Sequence, residues 1–186
     1  MWQNDHLDEL RLGLLEKCVI DLGGQVDDKM VLYVREALLR LTARGAPTVT
    51  IQITSEGGSV EFGLDIYDLL RSYSGKKVGF VCGFARSMAA IILQGCDTRC
   101  CMRHAQIMIH HISKSSVSLD VLRDEKRLEK LKIEMESQQT RIYSILSVRS
   151  GRKPDEIIAE CKKEKNMSSE EAKAFGLIDE IVDSLP

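Results

Sequence analysis

Short apolar runs alternate in this chain with longer stretches in which apolar residues recur at steps of three and four. The short runs are typical of buried β-strands, whereas the longer spacing predicts amphipathic helices. The predicted strands cover residues 17–22, 48–54, 77–82 and 106–112, and the predicted helices cover 7–16, a segment from Asp27 or Asp28 to Gly45, 60–72 and a segment that opens at Ser87. Strands that alternate with helices predict an α/β fold of βαβ units with a mainly parallel sheet.

From Ser118 to Arg149 the pattern changes to one long, charged helix whose apolar residues follow steps of three, four and seven. At about 1.5 Å per residue this helix would span on the order of 45 Å, which is more than a small core needs. We therefore expect it to project and to take part in self-association rather than to pair within the domain. Gly151 should end it, Pro154 should begin the next helix, and the capping-box residues 168–171 should begin the last one.

Composition and charge indicate one domain and disfavour two classes of partner. The chain has 186 residues, and its 26 basic and 28 acidic residues are interspersed, with a net charge of −2. This pattern offers neither the basic surface of a nucleic-acid binder nor a polybasic membrane patch. The longest apolar runs fall far short of the ~20 residues of a membrane span, and the sequence MWQNDHLDEL lacks the features of a signal peptide. We expect a cytoplasmic protein with no nucleic-acid or membrane partner.

Six cysteines are scattered along the chain, which favours reduced, mostly buried thiols over a disulfide framework. A metal site is the alternative, because Cys96, Cys100, Cys101 and His104 are four possible soft ligands. No second ligand pair follows at finger-like spacing, and adjacent cysteines on a strand would point to opposite faces. We expect packing thiols and no metal. Cys82 is also a candidate nucleophile, although its place within an apolar strand favours the core.

Two loops at the predicted carboxyl edge of the sheet carry residues suited to acyl-transfer chemistry. Ser87 stands where an apolar helix opens, so its hydroxyl is either an ordinary N-cap or a nucleophile beside the positive end of the helix. Gly57 and Gly58 follow the neighbouring strand and form either a simple turn or a place where a substrate backbone approaches closely. His110 and His111 are adjacent, so strand alternation lets only one of them face Ser87, and spacing alone does not select which.

Five strings of sequence resemble, in one register from about residue 10 to 183, the proteolytic subunits of Clp proteases. The strings are LLEKCVIDLGGQVDDKM, SEGGSVEFGLDIYDLL, CGFARSMAAIIL, IMIHH and MSSEEAKAFGLIDEIV. The matching family patterns are LLKxRIIFLGGxVDDxM, SPGGSV, GxAASM, MIHQP and EEAxxxGLID. The resemblance implies a single domain over residues 1–186 with the ClpP/crotonase-like fold, in which a head (about 1–112 and 151–186) carries a projecting handle helix (about 113–150).

The resemblance also implies a serine endopeptidase that cleaves unfolded or short peptides inside a homo-oligomeric ring, a heptamer or a tetradecamer, without a cofactor. Partnership with an AAA+ unfoldase is left open, because only about six residues precede the first predicted helix and the N-terminal loops that engage the unfoldase should be nearly absent. The site residues implied are Ser87 as nucleophile, His110 as base, Glu164 as acid, the N–H groups of Gly58 and Met88 as the oxyanion hole, and Gly57 and Ser59 as substrate contacts.

The acid is assigned by position. Glu164 is found by counting back three residues from Met167, at a position where the family has aspartate. The extra methylene of glutamate requires a compensating backbone shift of about an ångström, and catalysis is sensitive to misplacement on that scale. Asp155 and Glu160 are the alternative acids.

Several residues depart from the family pattern around the predicted site. Glu56 and Ile112 replace prolines, Ala89 replaces a glycine, and Arg86 replaces a small residue. Arg86 should either add positive charge near the oxyanion or form an ion pair with Glu56. The polar segment ISKSSVSLD replaces a glycine-rich strand, so the family's ring-to-ring contact is left open. Two functions stand as alternatives to a peptidase: a structural ring subunit with an impaired site, and a crotonase-like acyl-CoA enzyme.

Overall fold

Residues 9–114 and 116–184 are described by a computed structural model of the chain. The helices are α1 (Glu9–Glu16), α2 (Asp28–Ala43), α3 (Val60–Ser72), α4 (Met88–Leu93), α5 (Leu119–Arg123), α6 (Glu125–Ser150), α7 (Pro154–Cys161) and α8 (Ser169–Phe175). The strands are β1 (Val19–Val26), β2 (Val49–Gly58), β3 (Lys77–Arg86), β4 (Thr98–Met102), β5 (Gln106–Met108), β6 (Met167–Ser168) and β7 (Glu180–Val182).

The sheet confirms the predicted α/β class. Its strands lie in the order β1-β2-β3-β4-β7, and each neighbouring pair is parallel. The core lies where the apolar faces of α2 and α3 and the whole of α4 pack on this sheet; every residue of α4 is buried. None of the helices within the two described ranges is long and apolar enough to cross a bilayer.

Strand β3 changes partner along its length, and this change positions the candidate site. Val78–Val81 pair with β4, whereas Phe84–Arg86 pair in parallel with β5. Strand β5 also pairs antiparallel with β6. The carboxyl end of β3 therefore lies beside the strand that leads to the two adjacent histidines and close to the short strand that follows Glu164.

Strand lengths differ from the sequence prediction in two directions. Strands β2 and β3 run beyond 54 and 82 to Gly58 and Arg86, because parallel pairing with the neighbouring strands continues past the apolar run. The predicted strand 106–112 is wrong at its end, because β5 stops at Met108 and the two histidines lie beyond it. Strand β4, which holds Cys100 and Cys101, was not predicted.

The single long helix predicted over 118–149 is also wrong, because the chain breaks it at Asp124. The backbone of Asp124 is extended, and its carboxylate accepts the N–H groups of Lys126 and Arg127, so it caps a new helix. The 26 residues of α6 span about 39 Å at 1.5 Å per residue. Ile142 and Leu146 in the second half of α6 are its buried residues, and the first half is largely exposed.

The helix termini follow the signals in the sequence. Asp27, rather than Asp28, is the N-cap of α2 and accepts the N–H of Met30 at 3.0 Å. Gly151 ends α6 with φ 72°, and Pro154 begins α7. A capping box joins Ser168 and Glu171 at the start of α8. Of the predicted first helix, residues 7 and 8 lie outside the described residues.

The cysteines lie within the fold as free thiols. Burial raises the pKa of Cys96, Cys101 and Cys161 to about 12, so these thiols are unreactive near neutral pH. Burial also raises the pKa of Cys82, with a further contribution from Asp21, which makes this side chain a poor nucleophile. Residues 9–114 and 116–184 contain no group of three or more His, Cys, Asp or Glu side chains that could hold a metal ion.

Candidate active site

Ser87 occupies a sharp turn between β3 and α4. Its backbone has φ 52° and ψ −125°, a conformation that costs a residue with a side chain on the order of 1–3 kcal/mol. The turn is held in place because the N–H of Ser87 donates to the carbonyl of Met108 at 2.8 Å. The hydroxyl makes no capping hydrogen bond to α4, so the N-cap interpretation of this serine is wrong.

The Ser87 hydroxyl instead faces His110. The Nε2 atom of His110 lies 2.7 Å from Ser87 Oγ, and the imidazole is half-buried. His110 can reach the serine because it lies two residues beyond Met108, whose carbonyl is bonded to the serine backbone. The pair has the spacing expected of an oxygen nucleophile and its general base.

His111 points elsewhere. Its Nδ1 atom lies 2.5 Å from the hydroxyl of Tyr143 on α6, and the two rings meet edge to face with centroids 5.9 Å apart. Burial raises the pKa of Tyr143, with Cys161 adding to the shift, so the phenol keeps its proton and shares a hydrogen bond with His111 Nδ1 whose direction is set by the tautomer of the imidazole. Of the two adjacent histidines, His110 is therefore the one that meets Ser87.

Gly57 packs directly against the turn that carries Ser87. A Cβ atom on Gly57 would lie 2.7 Å from the carbonyl oxygen of Arg86 and 2.9 Å from the nitrogen of Met88, and its φ is +92°. Beneath it, the buried hydroxyl of Ser55 accepts the N–H of Gly57 at 3.1 Å and donates to the carbonyl of Gly24. The absence of a side chain at position 57 allows β2 to approach the serine this closely.

Neither β1 nor α4 provides an acceptor for the N–H groups of Gly58 and Met88. Ser59 N–H donates to the carbonyl of Val26, so strand alternation turns the N–H of Gly58 away from β1. Met88 is the first residue of α4, and its N–H has no acceptor within the helix. Gly58, Ser87, Met88 and His110 all line one cavity. The predicted substrate contact Ser59 also caps α3, since its hydroxyl accepts the N–H of Phe62 at 3.5 Å.

The cavity beside Ser87 is small and has an apolar floor. Its volume is about 70 Å³, and Ile91, Ile109, Ile142 and Leu146 form much of its lining. A wider groove of about 540 Å³ begins at Gly58 and runs between α3 and the first half of α6. Together they can take an apolar side chain next to the serine and a chain segment beyond it.

The structure does not bring Glu164 to His110. Glu164 is exposed, with φ 47°, in the segment between α7 and β6. Asp155 is exposed at the start of α7, and Glu160 is buried and bonded to Lys163. Within residues 9–114 and 116–184, none of the carboxylates accepts a hydrogen bond from His110. The identity of the acid stays a prediction.

Arg86, next to the serine, forms the ion pair with Glu56 that the sequence offered as one alternative. Its Nη1 atom lies 2.6 Å from Glu56 Oε1, and the guanidinium also donates to Gln106 at 3.1 Å and to Asn166 at 2.8 Å. Its face stacks on the ring of Phe84 at 4.6 Å. Arg86 thus links the strand that ends in the two glycines, the strand before the histidines and the segment that carries Glu164.

Sequence reasoning missed five side chains that support the site: Ser55, Gln106, Gln139, Tyr143 and Asn166. A signal existed for one of them, because Ser55 immediately precedes the Glu56-Gly57-Gly58 segment and a serine there can cap the turn with its own hydroxyl. The others come from β5, α6 and the segment before β6. They are distant from Ser87 along the chain, and only the tertiary fold reveals their contacts.

Comparison with known proteins matches the sequence to one family. A family model described as Clp protease matches residues 3–185. An ATP-dependent Clp protease proteolytic subunit from Bacteroides fragilis is 31% identical over 169 residues, which cover 88% of this chain and 78% of that protein. A protein of the same name from Bacteroides thetaiotaomicron is 32% identical over 169 residues, covering 88% and 74%.

A third relative, the ATP-dependent Clp protease proteolytic subunit 3 of Streptomyces coelicolor, is 29% identical over 185 residues, which cover 96% of this chain and 81% of that protein. The resemblance drawn from the five sequence strings is thereby confirmed. The match of the family model over nearly the whole length shows that this chain belongs to the Clp protease family, a family of peptidases.

Proposed function

We propose that this chain is a serine endopeptidase whose nucleophile is Ser87 and whose general base is His110. Ser87 Oγ attacks the carbonyl carbon of the scissile peptide bond while His110 Nε2 takes the hydroxyl proton. The imidazolium then gives that proton to the departing amine, which leaves an acyl-enzyme ester on Ser87. Water, deprotonated by His110, hydrolyses the ester and releases the second product.

The N–H groups of Gly58 and Met88 are the proposed donors to the negative oxygen of each tetrahedral intermediate. Both residues line the cavity that holds Ser87 Oγ. The Met88 donor is at the N-terminus of α4, where the partial positive charge of a helix favours an anion. Preorganised donors of this kind need no rearrangement during the reaction, and this chemistry requires no metal or organic cofactor.

One observation carries the proposal: the 2.7 Å contact between Ser87 Oγ and His110 Nε2 at a strained turn. Strained backbone conformations that neighbouring contacts hold in place cluster at functional sites. A serine that only caps a helix or faces solvent would not require such a conformation.

The proposed substrates are unfolded proteins or short peptides in extended form. The wide groove between α3 and α6 can receive an extended chain, and the small cavity can receive one apolar side chain at the bond to be cut. Ser59 lines this groove and would contact the substrate main chain. Gly57 is buried against the turn that carries Ser87 and lines neither cavity, so its predicted contact with substrate stays a prediction.

The proposed assembly is a homo-oligomeric ring, a heptamer or a tetradecamer, with an AAA+ unfoldase as a possible partner class. The relatives are named as ATP-dependent subunits, which supports a partner that hydrolyses ATP. Exposed apolar side chains on α5 and the first half of α6, namely Leu119, Leu122 and Ile133, support self-association.

A second candidate is a ring subunit with an impaired site. It is favoured by the exposed position of Glu164 and by the lack, within the described residues, of a carboxylate bonded to His110. Removing the acid of a Ser-His-acid triad typically costs about 10⁴-fold in kcat, so the two candidates differ greatly in rate.

Hydrolysis of a fluorogenic unfolded-protein substrate by the native-size assembly, sized by light scattering in the same sample, distinguishes the candidates. The peptidase proposal predicts that the assembly hydrolyses this substrate, that Ser87→Ala abolishes the hydrolysis, and that an acyl-CoA thioester is not turned over. A correctly sized assembly without hydrolysis would favour the impaired subunit, and thioester turnover would favour a crotonase-like enzyme.

A further inference from the structure

The segment that follows His110 has no strand to hold it. Residues 109–114 and 116–118 form no regular secondary structure, because β5 ends at Met108. Before His110 the chain is fixed by pairing between β5 and β3 and by the hydrogen bond from Ser87 N–H to Met108. The position of His110 therefore also depends on the side chains that contact the residues immediately after it.

Two side chains of α6 make those contacts. Gln139 Oε1 accepts the N–H of Ile112 at 2.6 Å, and the hydroxyl of Tyr143 is hydrogen-bonded to His111 Nδ1 at 2.5 Å. The two α6 residues are four positions apart and so lie on the same face of the helix. Each of the two residues that follow His110 is therefore held by a different side chain of one helical turn.

This part of α6 is itself anchored. Ile142 and Leu146, on the same side of the helix, are buried in the core and line the cavity beside Ser87. The Gln139 Nε2 atom is buried without a hydrogen-bond partner in the described part of the chain. A buried donor left unpaired is unfavourable. Gln139 is retained in this orientation because its oxygen satisfies the backbone N–H of Ile112.

We propose that Gln139 and Tyr143 are positioning residues for His110, which hold the imidazole within reach of Ser87 by fixing the two residues after it. This inference rests on the proposed function, since it assigns Gln139 and Tyr143 to the same site. Neither side chain contacts Ser87 or the reacting atoms. Both act through His111 and Ile112. The family pattern has glutamine and proline at those two positions, and a proline has no N–H to donate to a side chain such as Gln139.

Two substitutions remove the contacts of Gln139 and Tyr143 with Ile112 and His111 and change the side-chain volume little. Gln139→Met removes the acceptor for Ile112, and Tyr143→Phe removes the hydrogen bond to His111 while keeping the ring contact. Each should lower kcat for peptide hydrolysis by about ten- to hundredfold with KM changed less than about twofold, because displacing a base by about an ångström weakens the chemical step more than binding. Gln139→Glu keeps an oxygen acceptor for Ile112 and should restore most of kcat.

Matched controls separate positioning from a general effect on α6. Thr140→Ala removes an exposed hydroxyl that bonds only the carbonyl of Glu136, and Tyr67→Phe removes a phenol hydroxyl from α3. Neither should change kcat. Light scattering on every variant confirms that assembly is intact. Unchanged kcat in both Gln139→Met and Tyr143→Phe, or a loss that Gln139→Glu does not restore, would overturn the proposal.

A crystal structure of the Gln139→Met and Tyr143→Phe double variant supplies a readout that does not depend on activity. The expected result is a separation of His110 Nε2 from Ser87 Oγ beyond hydrogen-bond distance. An unmoved His110 would overturn the proposal even if activity fell. If the wild-type chain is inactive but His110 moves in the variant, the positioning role stands and the proposed function fails.

Discussion

Arg86 and Glu56 form an ion pair of 2.6 Å across the carboxyl ends of β3 and β2, the two strands that carry Ser87 and the paired glycines. Both residues depart from the family pattern, and they depart in a complementary way, since one supplies the guanidinium and the other the carboxylate. The guanidinium also reaches Gln106 and Asn166. Arg86 therefore joins β2, β5 and the segment before β6, whose relative positions the proposed mechanism depends on.

Arg86→Met should lower kcat/KM by about tenfold, because it frees these three segments from one another. The free energy of unfolding should fall by only about 1 kcal/mol, since Glu56 is largely exposed. Arg86→Lys should be intermediate, because an ammonium can pair with Glu56 but does not reproduce the planar fork. Peptide hydrolysis and urea denaturation measure the two effects. Arg103→Met, which breaks an exposed pair with Asp183, is the control and should leave kcat unchanged.

Ser55→Ala should both destabilise the fold and weaken catalysis. Its hydroxyl is 1% exposed and satisfies the N–H of Gly57 and the carbonyl of Gly24, so its removal leaves two backbone groups without a partner. We expect a loss of about 1–3 kcal/mol in the free energy of unfolding and a lower kcat. Ser72→Ala removes an exposed hydroxyl that bonds Leu69 and should have neither effect. A stable, fully active Ser55→Ala protein would contradict the role of this serine beneath the glycines.

Gly57→Ala should abolish peptide hydrolysis. The added methyl group would meet the backbone of Arg86 and Met88 at 2.7 and 2.9 Å, so the turn that holds Ser87 must move. The positive φ of Gly57 adds strain, and we expect a loss of more than about 1 kcal/mol in stability. Gly13→Ala in α1 is the contrast, because its methyl group would meet nothing within 4 Å and helix propensity favours alanine by about 0.5–1 kcal/mol.

The ion pair between Arg99 and Asp179 should contribute to the acid sensitivity of the fold. The buried guanidinium of Arg99 donates to Asp179, to Gln94 and to two backbone carbonyls. Arg99→Met should therefore lower the free energy of unfolding by on the order of 3 kcal/mol. Burial alone would raise the pKa of Asp179, but hydrogen bonds from Arg99 outweigh it and hold the pKa below 3.8. The stabilisation is thus present above about pH 4 and is lost as the pH falls through the folded-state pKa.

Urea denaturation at pH 7 and at pH 3 tests this sign. The wild-type chain should be less stable at pH 3, and Asp179→Asn should show a smaller difference between the two values. An equal loss of stability in both proteins on acidification would mean that Asp179 does not carry the effect.

The sequence predicted the alternation of strands and helices well, because apolar periodicity reports burial directly. It placed the ends of β2 and β3 too early, since pairing with neighbouring strands extends them through glycines and an arginine that periodicity does not recognise. The break at Asp124 was missed for a related reason. A carboxylate that can cap a helix looks, along the chain, like one more charged position in a long helix.

The candidate site was predicted unevenly. Ser87 and Gly57 have local signals, namely a serine at a helix start and a double glycine after a strand. The choice of His110 over His111 depends on where β5 ends and on the contact of His111 with Tyr143, which lies 32 positions away along the chain. Glu164 was assigned by counting, and its exposed position shows that counting does not fix where a side chain lies in a loop.

The central claim is that His110 activates Ser87 for attack on an acyl carbon. Intact-mass spectrometry of the native-size assembly after reaction with a fluorophosphonate tests it most directly, because the reagent modifies only an activated serine. The account predicts one adduct per chain, located on Ser87, lost in Ser87→Ala and strongly slowed in His110→Ala. An unmodified wild-type assembly, or an adduct that forms at the same rate in His110→Ala, would contradict it.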